Sequence, residues 1–270
     1  MFELALLSAQ LNSQTQHAAH LTNYELDQLT AKLDNWHKKL PESLHLRQLV
    51  SGNRADLIRA KRPLLFMHMA HISARITLYE RMIQAAQNQQ TSTSDQSMAC
   101  QVLSLPEDIH QVYTSFAQQL ARIIALLYEE QGVLVRCPIT MYGLVYWNIA
   151  WANIRKFHSH ACFHSSVVLL LRAAQNIALG VCHNLTLEHL SNAQTCLLAL
   201  EVCREHDIVA IQLDYVITPI YEHLKQVAHD STSLGLSQTD YTDGSTLPAI
   251  HNIVCQLVSV MAVSFKELWV

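Results

Sequence analysis

The residues best equipped for chemistry lie in FHSHACFH, where His158, His160, Cys162 and His164 fall within seven positions. Imidazole nitrogen and thiolate sulfur are both accepted by zinc. On a helix only His160 and His164, four apart, share a face, whereas an extended connector would align His158, His160 and Cys162. No second pair of ligands such as CxxC completes either arrangement, so the group reads as polar residues at a turn between two helices, and no metal or other cofactor is expected. His68 and His71, three apart in a long helical pattern, read as packing residues. CREHD offers Cys203, Glu205, His206 and Asp207, but adjacent residues on a helix diverge, and charge and capping at a helix end account for them more simply. The chain has no GxSxG elbow, phosphate-binding glycine loop, HExxH or dinucleotide fingerprint.

Aromatic residues give a second candidate. Tyr146, Trp147 and Trp151 are too closely spaced to share one face, so a ring among them is available to line a cavity, with Arg155 and Asn148 as polar handles. These positions, Tyr146, Trp147, Trp151 and Arg155, are the candidate ligand pocket, and core packing is the competing account of the same rings.

The elements that would position these residues are helices. Half of the 270 residues are apolar, Gly and Pro number only six each, and the periodic segments outrun ordinary strands. The spacing predicts a short helix from Leu4 and a clearer one capped at Thr22 or Asn23, with Leu26, Leu29, Leu33 and Trp36 on one face and Pro41 beyond its end. A long pattern from Asp56 to Asn88 follows, starting or kinking at Pro63. Residues 87–104 form a polar loop, and Ser104 with Glu107 makes a capping box for the next helix.

Two strongly apolar segments then run from Cys137 to Phe157 and from Ser165 to Val181, separated by a turn near 158–164. A third begins after a turn near 183–186, and another helix follows Asp207, kinked at Pro219. Residues 230–248 read as a polar loop. Residues 249–270 read as a helix so apolar that it must dock on the domain or on a partner. The expected architecture is all-α, a set of mostly antiparallel packed helices over residues 1–229 with the last helix beside it.

Net charge is −4 and is unevenly spread. Residues 32–81 carry ten Lys or Arg against four Asp or Glu, and the remainder eight against eighteen. Such a run usually forms a solvated helix face, and the whole-chain balance lacks the basic footprint that holds nucleic-acid phosphates. Seven scattered cysteines, most in apolar segments, fit reduced thiols rather than a disulfide framework. The N-terminus has no basic region before its leucines, so it does not read as a secretory signal. The uncharged run from Cys137 to Ile154 contains Thr140, Asn148 and Asn153, so it reads as a core helix rather than a membrane span.

In LTAKLDNWHKKLPESLH, Leu33, Trp36, Leu40 and Pro41 form a "Leu, two residues, Trp, three residues, Leu-Pro" element. The helix PLLFMHMAHISARITLYERMI, a polar break, SFAQQLARIIALLYEE, the segment from Pro138 and SNAQTCLLALEVCREHDIVA follow in order. This arrangement, over residues 20–225, resembles the regulatory middle-homology domain of fungal binuclear-zinc-cluster transcription factors. The six closely spaced cysteines of that family's DNA-binding module have no counterpart, since the chain holds no CxxC. The resemblance therefore implies a helical regulatory domain truncated at its N-terminus relative to the family, working in the nucleus through protein contacts with the transcription machinery or with itself. It also implies control of metabolic or secondary-metabolite genes, with a small-molecule effector. It does not imply direct DNA binding or membrane attachment. A small-molecule-binding protein or enzyme on the same scaffold is the alternative, and an oligomeric scaffold built through residues 249–270 is a third.

Overall fold

Leu26, Leu29, Leu33, Trp36 and Leu40 recur at intervals of three and four, which places them along one stripe of a helix. In the computed structural model that stripe belongs to α1 (Asn23–Lys38), and its first four members are buried. The structure describes residues 23–47, 64–80, 82, 107–129, 144–180, 183–204, 208–233, 248, 250–257 and 259, with the backbone alone at 23, 108, 109, 128, 129, 144–158, 209 and 231–233. Of the interpretable part 95% is helical and none is strand, so the fold is all-α.

The helices divide into two compact units, and the division falls within the polar stretch after residue 87. The first unit holds α1, a 3-10 turn at Glu42–Leu44 and α2 (residues 64–80). Leu26, Leu29, Leu33 and Trp36 of α1 meet Met67, Ala74 and Leu78 of α2, with Leu40 and Leu64 packed at the margin. The pairing is antiparallel: Asp34 meets Arg75, His37 meets His71, and the Leu44 carbonyl meets His68, so position numbers fall on one side as they rise on the other. Among described residues α2 starts directly after Pro63; residues 56–63, and the first expected helix near Leu4, lie outside them.

The second unit holds α3 (Glu107–Glu129), α4 (Leu144–Ala178), α5 (His183–Cys203), α6 (Ile208–Ser233) and α7 (residues 250–257). Helix α4 is central, packing on α3, α5 and α6, while α5 also contacts α3 and α6. From Ser159 to Ile177 only His164, Leu171 and Arg172 are not fully buried. A helix apolar on all sides is what such a central place requires. In α7, Ile250, Ile253, Val254 and Leu257 are all buried, at the spacing of one helix face.

Three boundaries differ from the sequence expectation. No turn occurs at 158–164: α4 continues through it. The stretch contains neither Gly nor Pro, Ser159 and His160 are buried within the helix, and just beyond it the Ser166 hydroxyl donates to the Phe163 carbonyl at 2.7 Å. The next turn comes earlier than 183–186, at Leu179 and Gly180, where Gly180 has φ 62°, the left-handed conformation that ends helices and that glycine adopts without steric cost. Helix α6 runs on to Ser233 rather than stopping before 230, with Gln226 donating to Asp230 one turn later at 3.0 Å. Pro219 lies inside α6 and is exposed, so the Tyr215 carbonyl that loses its helical partner belongs to a residue on the water side, 81% exposed.

Polar links fasten the second unit. Arg172 of α4 donates through both terminal nitrogens to the Glu107 carboxylate at the start of α3, one contact at 3.0 Å, and this holds the Glu107 carboxyl below its ordinary range. Ser104, its expected capping partner, lies outside the described residues. Arg204 pairs with Asp214 at 2.8 Å, and Thr218 donates to the same carboxylate at 2.7 Å, tying the end of α5 to α6.

Between α4 and α3 the buried Ser165 hydroxyl donates to the Ala117 carbonyl at 2.9 Å and accepts the Cys196 thiol of α5 at 3.5 Å. One small side chain thus joins three helices. Replacing Ser165 by alanine is expected to lower the stability of this unit by about 1 kcal/mol, the net worth of a buried hydrogen bond, read as a shift of the urea midpoint with unchanged slope.

Candidate functional site

The chemistry-bearing residues that the fold brings together are in the first unit. His37 leaves α1 one position after the apolar stripe and faces α2, where His68 and His71 stand three apart with Arg75 four beyond His71. Pro41 cannot continue α1. It starts the 3-10 turn instead, closed by the Leu44 amide on the Pro41 carbonyl at 2.8 Å and the His45 amide on the Glu42 carbonyl at 3.1 Å. That turn brings His45 back under the end of α1.

Three imidazoles and an indole then form a chain of rings. Trp36 and His71 have centroids 5.0 Å apart, His71 and His37 stack at 5.2 Å, and His37 meets His45 edge-on at 5.1 Å. His68 lies beside them, its Nε2 donating to the Leu44 carbonyl at 2.7 Å, and His45 Nε2 donates to the Leu40 carbonyl at 3.1 Å. A carbonyl only accepts, so each of these rings carries its proton on Nε2. The buried Nε2 of His71 has no hydrogen-bond partner among the described residues. Below the rings, Asp34 of α1 forms an ion pair with Arg75 of α2.

Burial keeps His37, His68 and His71 neutral at pH 7. Burial pushes His71 down to about 3, with the Arg75 guanidinium and His37 adding to the effect. Burial is also the main cause of the lowering at His37 and at His68, and neighbouring histidines contribute to both. An imidazole so lowered is a weak base at neutral pH, and His71, 4% exposed, is closed to substrate. The arrangement packs helices and can answer to acid; it is not built for proton transfer to a bound molecule.

The residues singled out from the sequence are placed differently. His160 and His164 do share a face of α4, their rings stacked at 6.0 Å, but they sit in mid-helix rather than at a junction. Cys162 is buried at the level of Cys196 and Cys203 of α5, and burial pushes its thiol up and the Cys196 thiol up to about 12, so both are protonated and unreactive. No group of three His, Cys, Asp or Glu among the described residues could hold a metal ion, and no described helix is long and apolar enough to cross a membrane. Glu205, His206 and Asp207 lie outside the described residues. Tyr146, Trp147, Trp151 and Arg155 fall on the first half of α4, where the backbone is helical and Trp147, Trp151 and Arg155 succeed one another at intervals of four; their side chains lie outside the described residues.

His37 and His45 were not distinguished by any spacing in the sequence. The available signal is a pair of histidines, 37 and 45, flanking the Leu40-Pro41 stop and a second pair, 68 and 71, on the helix that follows. No protein-family model, curated protein or solved structure matches this chain.

Proposed function

We propose that this protein is a transcription regulator, a helical regulatory domain of the kind found in fungal zinc-cluster factors, acting in the nucleus through protein contacts on metabolic or secondary-metabolite genes. The observation that supports this reading is the docking of the "Leu, Trp, Leu-Pro" element on the helix that follows it. Leu33 and Trp36 are buried against α2, Leu40 packs at the margin of the same core, and Pro41 turns the chain back onto His68. The all-α architecture agrees with the helical domain that the resemblance implies.

Deleting the gene and profiling transcripts across nutrient conditions tests the proposal. The expected result is a coherent set of altered metabolic transcripts, restored by the wild-type chain and not by a Trp36→Ala chain. Unchanged transcripts in every condition overturn it.

A further inference from the structure

We propose that the 3-10 connector following α1 is an acid-released clasp, held against α2 through the cluster of His37, His45, His68 and His71, and let go when His37, His68 and His71 take up protons. The connector has little else to hold it. None of the residues in its 3-10 turn is fully buried, and Glu42 and Ser43 are exposed. Beyond Leu40, which packs at the margin of the core, its described contacts with the helices pass through histidines: the Leu44 carbonyl on His68, and the His45 ring against His37, itself stacked on His71.

The charged and titratable groups facing these rings are few. Helix α1 supplies His37 and Asp34, the connector supplies His45, and α2 supplies His68, His71 and Arg75. The one carboxylate among them is already paired with the one guanidinium. Among the described residues, a proton added to the cluster therefore meets cations or neutral rings about 5 Å away, and the paired Asp34 near His37 and the Leu44 carbonyl on His68 favour the charged form less than burial opposes it. Once the connector lifts, His37 and His68 reach water and protonate near the ordinary histidine value of about 6.5.

The sign follows from those two states. Above pH 6.5 the clasped and released forms are both neutral and acid has no effect. Below it the released form binds protons that the clasped form refuses, so release gains as pH falls, over a window that opens near 6.5 and extends towards 3 for His71. Each histidine that protonates only after release contributes about tenfold between pH 7.5 and 5.5.

Hydrogen exchange of the full chain measures this directly. Corrected for the intrinsic pH dependence of exchange, amides 40 and 42–47 are expected to open more readily at pH 5.5 than at 7.5, by up to about tenfold for each histidine released, while amides 165–177 of α4 change little. A double variant, His37→Phe with His68→Gln, keeps a ring against His71 and a donor for the Leu44 carbonyl but cannot titrate, and is expected to protect 40–47 equally at both values. Equal protection in the wild type, or the same acid loss in the variant, overturns the clasp. If the variant is unprotected even at pH 7.5, the wild-type ring protons decide. His37 and His68 shifting together with the opening of 40–47 is the expected result, and rings that titrate while those amides stay protected overturn it.

Discussion

Replacing Trp36 by alanine is expected to remove about 3–5 kcal/mol from the first unit, the usual cost of deleting a large buried aromatic side chain. Trp36 is 5% exposed and stands where the two supports of this unit meet. On one side it closes the stripe of Leu26, Leu29 and Leu33 against Met67, Ala74 and Leu78; on the other its ring lies 5.0 Å from His71. Alanine would leave a cavity beside an imidazole whose Nε2 has no hydrogen-bond partner among the described residues, and water entering there would relieve the desolvation that keeps His71 neutral. The variant is therefore expected to lose amide protection across α1 and α2 and to show His71 titrating nearer 6.5. Trp36→Phe keeps a ring against His71 and is expected to cost roughly half as much, since less volume is lost. An unchanged protection pattern in Trp36→Ala would show that the indole is not a support of this core.

What the sequence made legible was periodicity. The α1 stripe could be read because its apolar residues recur at three and four and polar residues such as Asp27, Lys32 and Asn35 occupy the other face, so burial and exposure are both written locally. Helix α4 was harder because its residues 159–177 are buried on nearly every side. Apolar residues then carry no phase, and Ser159, His160, Ser165 and Ser166 stand out as if they interrupted the helix when they are buried within it. Ser165 is legible only from α3, whose Ala117 carbonyl it meets 48 residues away. The histidine cluster was hidden for the same reason: His37 and His71 are 34 positions apart, and only the antiparallel register of α1 and α2 makes them neighbours. Spacing within one helix shows which residues share a face; it does not show what the face meets.

The continuity of α4 leads to the other large expected effect. Ala161→Pro is expected to cost 3 kcal/mol or more, roughly the penalty for proline inside a helix, and to leave the second unit unfolded or much weakened in urea. Two losses combine at this position. The missing amide removes the bond to the carbonyl four residues back, and Ala161, 1% exposed, leaves no room for the ring among Cys162, Phe163 and the neighbouring helices. Pro219 in α6 is the internal comparison: it is tolerated because it is exposed and the carbonyl it frees belongs to exposed Tyr215, where water can take the place of the lost donor. Ala161→Gly, which keeps the amide and adds no volume, is expected to cost only about 1 kcal/mol. The ratio of the two penalties distinguishes a helix from a turn. In a turn at 158–164 proline would be the mild substitution, and finding it so would place a break in α4 where the described backbone is continuous.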